Sequence, residues 1–254
     1  MTPSALLFDL DDTLIPEWEA IEAAYAAVAR QVWGERSEAR ILELTASARA
    51  IWDAEAPAAY CRRVHLDLEE GLYGELAGGG PEAEALRRAV ADLHRRAFDD
   101  AVPGPWRLRS PELLQTWRRA RIEALTVFPD TVDVLGAWSA RLPVGLVTNG
   151  ASVLQRRKLT ATGLDRFFSA IAVSEDIGVG KPDPAPFAAV LDELGIEPSA
   201  AVMVGNDLDR DVAGALAAGV RPVWLRRAGD ADDRPTPPGV DVIDDLRELE
   251  ALLD

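Results

Sequence analysis

From Phe128 onward the chain alternates between short apolar runs and amphipathic stretches, and the apolar runs end abruptly in small or polar residues. Residues 142–147 run into Thr148-Asn149-Gly150, and 201–204 run into Gly205-Asn206-Asp207. Near the start, Ala5-Leu6-Leu7-Phe8 empties into Asp9-Leu10-Asp11-Asp12 in the same way. Short continuous apolar runs bounded by turn signals read as strands buried on both faces. Residues 170–173, 222–225 and 240–243 give further strands. Helices are expected over 153–161, from an Asp183-Pro184 cap to Leu194, from after Asp207 to Ala218, and at the end of the chain. Strands alternating with helices of this length imply βαβ units, hence a Rossmann-like α/β core: a parallel sheet with helices on both faces.

Between the first run and Phe128 the pattern is helical throughout. Trp18, Ile21, Tyr25, Val28 and Val32 share one helical face, with Gly34 as a stop, so Trp18 is expected in the core. Ile41, Leu44, Ala48 and Ile51 repeat the spacing after Ser37, an expected N-cap. A third helix is expected over 58–76 and a fourth over 82–100, separated by Gly78-Gly79-Gly80-Pro81. Residues 103–111 read as a loop, and Ser110-Pro111 opens a fifth helix. His65 and His94 read as helix-face residues. Residues 1–15 and 126–254 are therefore expected to form one α/β core, with 16–125 inserted as an all-helical cap.

Composition narrows the function. The 254 residues carry 43 acids against 27 bases, a formal charge of −16 that repels phosphate polymers and anionic lipid. Neither nucleic acid nor membrane is expected as a partner. The single cysteine, Cys61, forms no internal disulfide, and no apolar stretch is long enough to span a bilayer. With no basic segment before the first acids, no signal peptide is expected at the start, and a cytoplasmic location is expected. Two histidines and one cysteine do not make a Cys/His zinc site, which leaves carboxylates as the abundant reactive groups. Lysine occurs only at 158 and 181, so both positions merit inspection.

In open α/β sheets, ligands bind outside the carboxyl ends of the strands. That rim would collect Asp9 and Asp11 from one strand, Thr148 from a second, Asp207 and Asp211 from a third, and Lys181 from the loop after a fourth. Concentrated negative charge of this kind needs a cation, and oxygen-only ligation suits Mg²⁺, which keeps several waters and shares substrate phosphate. The Thr148 hydroxyl, nearby main-chain amides and the Lys181 ammonium are donors suited to phosphoryl oxygens.

These segments resemble the haloacid dehalogenase-like superfamily, in its phosphatase branch. Phe8-Asp9-Leu10-Asp11-Asp12-Thr13-Leu14 is similar to the first motif of that family, Leu146-Val147-Thr148-Asn149-Gly150 to the second, and Gly178-Val179-Gly180-Lys181-Pro182-Asp183-Pro184 to the third. Val204-Gly205-Asn206-Asp207-Leu208-Asp209-Arg210-Asp211 resembles the fourth, and the helical insertion lies where the family carries its C1 cap.

The resemblance implies a Mg²⁺-dependent phosphomonoesterase for a small phosphorylated metabolite. Asp9 would attack phosphorus to give an aspartyl-phosphate, Asp11 would act as acid and then base, and Thr148, Asn149 and Lys181 would bind the phosphoryl group. It also implies metal ligation by Asp9, the Asp11 carbonyl and a fourth-motif acid. Asn206 stands where many members have an Asp. Asp207 is then expected as the direct ligand, with Asp211 coordinating or ordering a metal-bound water, while the choice between Asn206 and Asp207 stays open. Asp12 and Asp209 read as solvated loop acids. A haloacid dehalogenase or phosphonatase fits less well, because those members lack the carboxylate that Asp11 supplies. A sugar phosphomutase keeps both acids and stands as the alternative, and Asn206 motivates a second one, a non-catalytic binding module on the same fold.

Overall fold

A computed structural model of the chain describes residues 2–55, 58–227 and 234–253. Six parallel strands form one sheet: β1 (Ala5–Phe8), β2 (Val144–Thr148), β3 (Ala170–Val173), β4 (Ala201–Gly205), β5 (Arg221–Leu225) and β6 (Asp241–Ile243), in the order β3-β2-β1-β4-β5-β6. β1 lies between β2 and β4, with Phe8 level with Leu146 and Val204. The loops leaving these three strands therefore open side by side, at the point where the strand order reverses.

Alternation of side chains explains why the sheet is apolar on both faces. Leu6 and Phe8 join Leu146, Val202 and Val204 in one cluster, while Ala5 and Leu7 join Val147, Met203 and Phe187 in another. Every residue of β1, β2 and β4 is buried.

Between β1 and β2 the chain is helical: α1 (Glu17–Trp33), α2 (Glu38–Glu55), α3 (Ala58–Val64), α4 (Leu68–Tyr73), α5 (Gly80–Ala101), α6 (Gly104–Arg107), α7 (Ser110–Glu123) and α8 (Thr131–Ser139). α1 packs on α7 and α2 on α5. Their shared core centres on Tyr25, Tyr73 and Trp117, with the Tyr73 and Trp117 rings 4.7 Å apart. After β2 come α9 (Ser152–Thr162), α10 (Ser174–Ile177), α11 (Ala185–Leu194), α12 (Ala213–Ala217) and α13 (Glu248–Leu253). No helix among the described residues is long and apolar enough to cross a membrane.

Three local expectations are corrected, and one helix, α8, was not anticipated. The helix expected over 58–76 is broken, because His65 adopts φ 52 and Asp67 caps a new helix by accepting from the Glu70 amide at 2.7 Å. α6 interrupts the loop expected over 103–111. α8 carried no helical signal, since its apolar residues serve the sheet: Val134, Leu135 and Trp138 pack on the cluster holding Leu6 and Phe8. The segment after β4 opens with a π-type turn over Leu208–Val212 before α12 begins.

Candidate active site

The loop after β1 carries the central carboxylate. The Asp9 amide continues the ladder to Val204 O at 3.0 Å, which fixes its side chain at the rim of the sheet. Lys181 Nζ donates to Asp9 Oδ1 at 2.5 Å and to Asp211 Oδ1 at 2.7 Å. Thr13 Oγ1 stands 3.1 Å from Asp9 Oδ2 and 3.2 Å from Asn206 Oδ1. Lys181 is held through its main chain: its amide donates to Asn149 Oδ1 at 2.8 Å, and its carbonyl accepts from Asn149 Nδ2 at 3.0 Å. Asn149 thus spends its carboxamide on fixing Lys181.

Burial pushes the Asp9 carboxyl up to about 7; Lys181 acts in the opposite direction, and the neighbouring Asp211 and Asp11 push upward again. One ammonium shared between two buried carboxylates leaves the centre short of positive charge.

Asp11 sits in a different environment. Its Oδ1 accepts from Lys158 Nζ at 2.8 Å and its Oδ2 from Gln155 Nε2 at 2.8 Å. Burial works to raise its proton affinity, but the Lys158 charge and these two hydrogen bonds outweigh it and hold the carboxyl below its ordinary value. Gln155 Nε2 also lies 2.7 Å from Thr148 Oγ1. Lys158, 1% exposed, reaches Glu17 Oε2 at 3.1 Å, and Glu17 is paired in turn with the buried Arg121 of α7. Glu70 of α4 crosses to the loop after β2, where its Oε2 accepts from the Ala151 amide at 3.2 Å.

The fourth-motif segment divides its labour differently from the expectation. Asp207 Oδ1 accepts from the amides of Asp209 and Arg210 at 2.8 and 2.9 Å, and its Oδ2 from Arg210 Nε at 2.7 Å. Both of its oxygens therefore cap and brace the π-type turn. Asn206, rather than Asp207, presents its side-chain oxygen beside Thr13 and hence beside Asp9. Asp211 Oδ2 accepts from the Asp207 amide at 3.0 Å, leaving Oδ1 for Lys181. Among the described residues, no three His, Cys, Asp or Glu side chains converge to hold a metal by themselves.

All the residues expected at the site, Asp9, Asp11, Thr148, Asn149, Lys181, Asp207 and Asp211, line one cavity of about 260 Å³, together with Asn206. Its opposite wall comes from the helical region: Trp18, Ile21, His65, Asp67, Glu69 and Glu70. Trp18 is 57% exposed, which corrects its expected place in the core; the buried stripe of α1 passes through Ile21, Tyr25 and Val28 and leaves Trp18 facing the opening. His65 is no helix-face residue, since its left-handed backbone between α3 and α4 turns it to the cavity. Asp12 also departs from a solvated role: its Oδ1 accepts from the Glu17 amide at 3.0 Å. Lys158, Gln155 and Glu70 were not anticipated, and the one sequence cue to any of them was the scarcity of lysine.

With this geometry in hand, comparison with known proteins is direct. A family model described as haloacid dehalogenase-like hydrolase matches residues 3–219, and the chain belongs to that family. It is 35% identical over 248 residues to a phosphoserine phosphatase of Thermus thermophilus, covering 96% of both chains. It is 32% identical to an N-acylneuraminate-9-phosphatase of Rattus norvegicus (98% and 93% covered) and 30% identical to a glyceraldehyde 3-phosphate phosphatase of Methanopyrus kandleri (91% and 87%). Among solved structures, a 2-haloacid dehalogenase from Pseudomonas syringae superposes with TM-score 0.66 at 27% identity, covering 99% of this chain and 98% of that one. The chain is accordingly a hydrolase with phosphatase-named relatives.

Proposed function

We propose that this chain is a Mg²⁺-dependent phosphomonoesterase that acts on a small phosphorylated metabolite through an aspartyl-phosphate. The observation that carries this reading is the pairing of Asp9, held by Lys181, with a second carboxylate two residues on, Asp11, that is held by an independent set of donors. Two carboxylates two residues apart, each held by its own donors, can divide the roles of nucleophile and acid/base.

The donor set fits Mg²⁺. Asp9, the Asp11 main-chain carbonyl, Asn206 Oδ1 and the carboxylates of Asp207 and Asp211 are all oxygen, and Mg²⁺ needs few protein ligands because it retains waters. Asn206 is favoured as the direct fourth-motif ligand, with Asp207 and Asp211 contributing charge, because Asp207 is occupied by its own turn. The ion, when bound, offsets the repulsion between an anionic nucleophile and an anionic ester.

The remaining chemistry belongs to the chain. An Asp9 oxygen forms a bond to phosphorus while the ester P–O bond breaks, and the departing oxygen takes its proton from Asp11, which enters this step in its protonated form although Lys158 and Gln155 favour the ionised one. A water then attacks phosphorus, its proton passes to Asp11, and the bond to Asp9 breaks to release phosphate. Lys181 and the Thr148 hydroxyl stabilise charge on the phosphoryl oxygens. The relatives named for phosphoserine, N-acylneuraminate 9-phosphate and glyceraldehyde 3-phosphate support small phosphorylated metabolites as the substrate class.

The test is phosphate release from a generic aryl phosphate and a panel of phosphorylated metabolites, with Mg²⁺ and with a chelator. The wild-type protein should turn over only with metal, and Asp9→Asn should be inactive. Equal turnover by that variant would remove the nucleophile.

A further inference from the structure

Lys158 and Gln155 lie three residues apart on α9, and a separation of three places two side chains on one helical face. Both point at the same carboxylate, each taking a different oxygen of Asp11. A carboxylate offers about four acceptor sites, so two such contacts leave lone pairs for a substrate or water while removing the freedom of the group to rotate. Asp11 is the acid/base of the reading above, on which the present inference rests.

The second half of the geometry concerns the cap. The ammonium that grips Asp11 also lies 3.1 Å from Glu17 Oε2 and 3.8 Å from Glu70 Oε1. Glu17 begins α1 and binds Arg121 of α7, while Glu70 belongs to α4. Three carboxylates from three segments thus meet at one buried lysine of the sheet domain. Lys158 makes no contact with the phosphoryl-binding residue Lys181 or with Asp9 among the hydrogen bonds and ion pairs it forms. It is absent from the cavity wall as well, whereas Asp11 and Glu17 are on it.

We propose that Lys158 and Gln155 are positioning residues that clamp Asp11 in its proton-transfer orientation, with Lys158 tying that orientation to the seating of the helical cap through Glu17 and Glu70. Lys158 makes no contact with Asp9, Lys181 or Thr148, so its half of the clamp matters where a proton must reach the leaving oxygen, whereas Gln155 also donates to Thr148 Oγ1 at 2.7 Å. Its signature is therefore dependence on the leaving group. An alkyl phosphate needs Asp11 to protonate its departing oxygen; an aryl phosphate, with a stabilised aryl oxide, needs that proton far less.

The experiment compares kcat/KM for 4-nitrophenyl phosphate and for an alkyl phosphate such as phosphoserine, in wild-type, Lys158→Met and Gln155→Leu proteins, all with Mg²⁺. kcat/KM reports the steps through the first irreversible one, where the leaving group departs. Loss of a positioned acid costs about 10²-fold or more, so Lys158→Met should lower kcat/KM for the alkyl ester by about that factor and for the aryl ester by less than about tenfold. Gln155→Leu leaves every ion pair of the cluster intact but also removes the donor to Thr148 Oγ1, so it should lower kcat/KM for both esters and for the alkyl ester further, which covers the case in which Lys158→Met fails to fold. A uniform loss on both esters, or no loss, in an active enzyme overturns the clamp alone. A wild-type protein that releases phosphate from neither ester overturns the phosphatase reading and the clamp with it.

Discussion

Lys181 Nζ lies 2.5 Å from Asp9 Oδ1 although 172 residues separate the two, and it reaches Asp211 Oδ1 at 2.7 Å with its next proton. Removing that ammonium leaves two buried carboxylates facing each other. On the proposed mechanism, Lys181→Met should reduce kcat about 10²- to 10³-fold, because that reading gives its charge the task of stabilising the phosphoryl oxygens. Breaking one side of a buried charge cluster should also destabilise the metal-free fold by about 3–5 kcal/mol. Urea unfolding with and without Mg²⁺ measures the second effect, and an unchanged midpoint without metal would argue against it.

The proton affinity of Asp9 gives a dependence on pH. Burial raises its carboxyl from 3.8 to about 7, Lys181 opposes this, and Asp211 and Asp11 reinforce it. A carboxyl raised on folding contributes stability that is complete below 3.8 and is lost as pH rises through about 7. The metal-free protein should lose stability over that window. If Mg²⁺ binds at Asp9 as proposed, it takes the ionised form, so the increase in Tm that it produces should be larger at about pH 8 than at about pH 6. Equal increments at both would show that Asp9 is not the titrating ligand.

Gly150 closes the second motif with φ 128, and a Cβ built there falls on the Glu70 carboxylate. Gly150→Ala faces both a backbone conformation that L residues avoid and the displacement of Glu70 from the Ala151 amide. A loss of about 1–3 kcal/mol in stability is expected. Differential scanning calorimetry checks this, and a neutral result would mean that Glu70 swings aside freely.

Trp117 supports the helical region from within, its ring tilted 4.7 Å from that of Tyr73 and edge-on to Tyr25, and it is 1% exposed. Trp117→Ala should cost about 3–5 kcal/mol by the cavity it leaves. Trp117 is not on the cavity wall and meets the site network only through Arg121, 5.1 Å from its ring, so the folded fraction at low temperature should retain turnover. Denaturant unfolding followed in parallel with activity separates the two.

The sheet was readable because its strands are short, buried and end in polar residues, so β1, β2 and β4 announced both their place and the residues they deliver. α8 was not, since Thr131, Val132 and Val134 are β-branched and Gly136 interrupts the stripe; only contact with the sheet explains that helix. Spacing located Asp207 but not the contacts it makes within its own turn, because a side chain that caps a turn looks the same in a sequence as one that does not. Lys158 escaped for a related reason. It lies inside a helix, away from any strand end, and its partners Asp11, Glu17 and Glu70 are remote in the chain. Trp18 misled because one apolar stripe carries both buried and exposed members.

Both lysines of the chain are buried, at 1% and 2% exposure, while its remaining 25 basic side chains are arginines. No ε-amino group therefore stands on the outer face for a lysine-directed protease while the fold is intact, and that of Lys181 is reached only through the cavity it lines. Acylation at Lys158, which lies off the cavity wall, would register the opening of the interior itself.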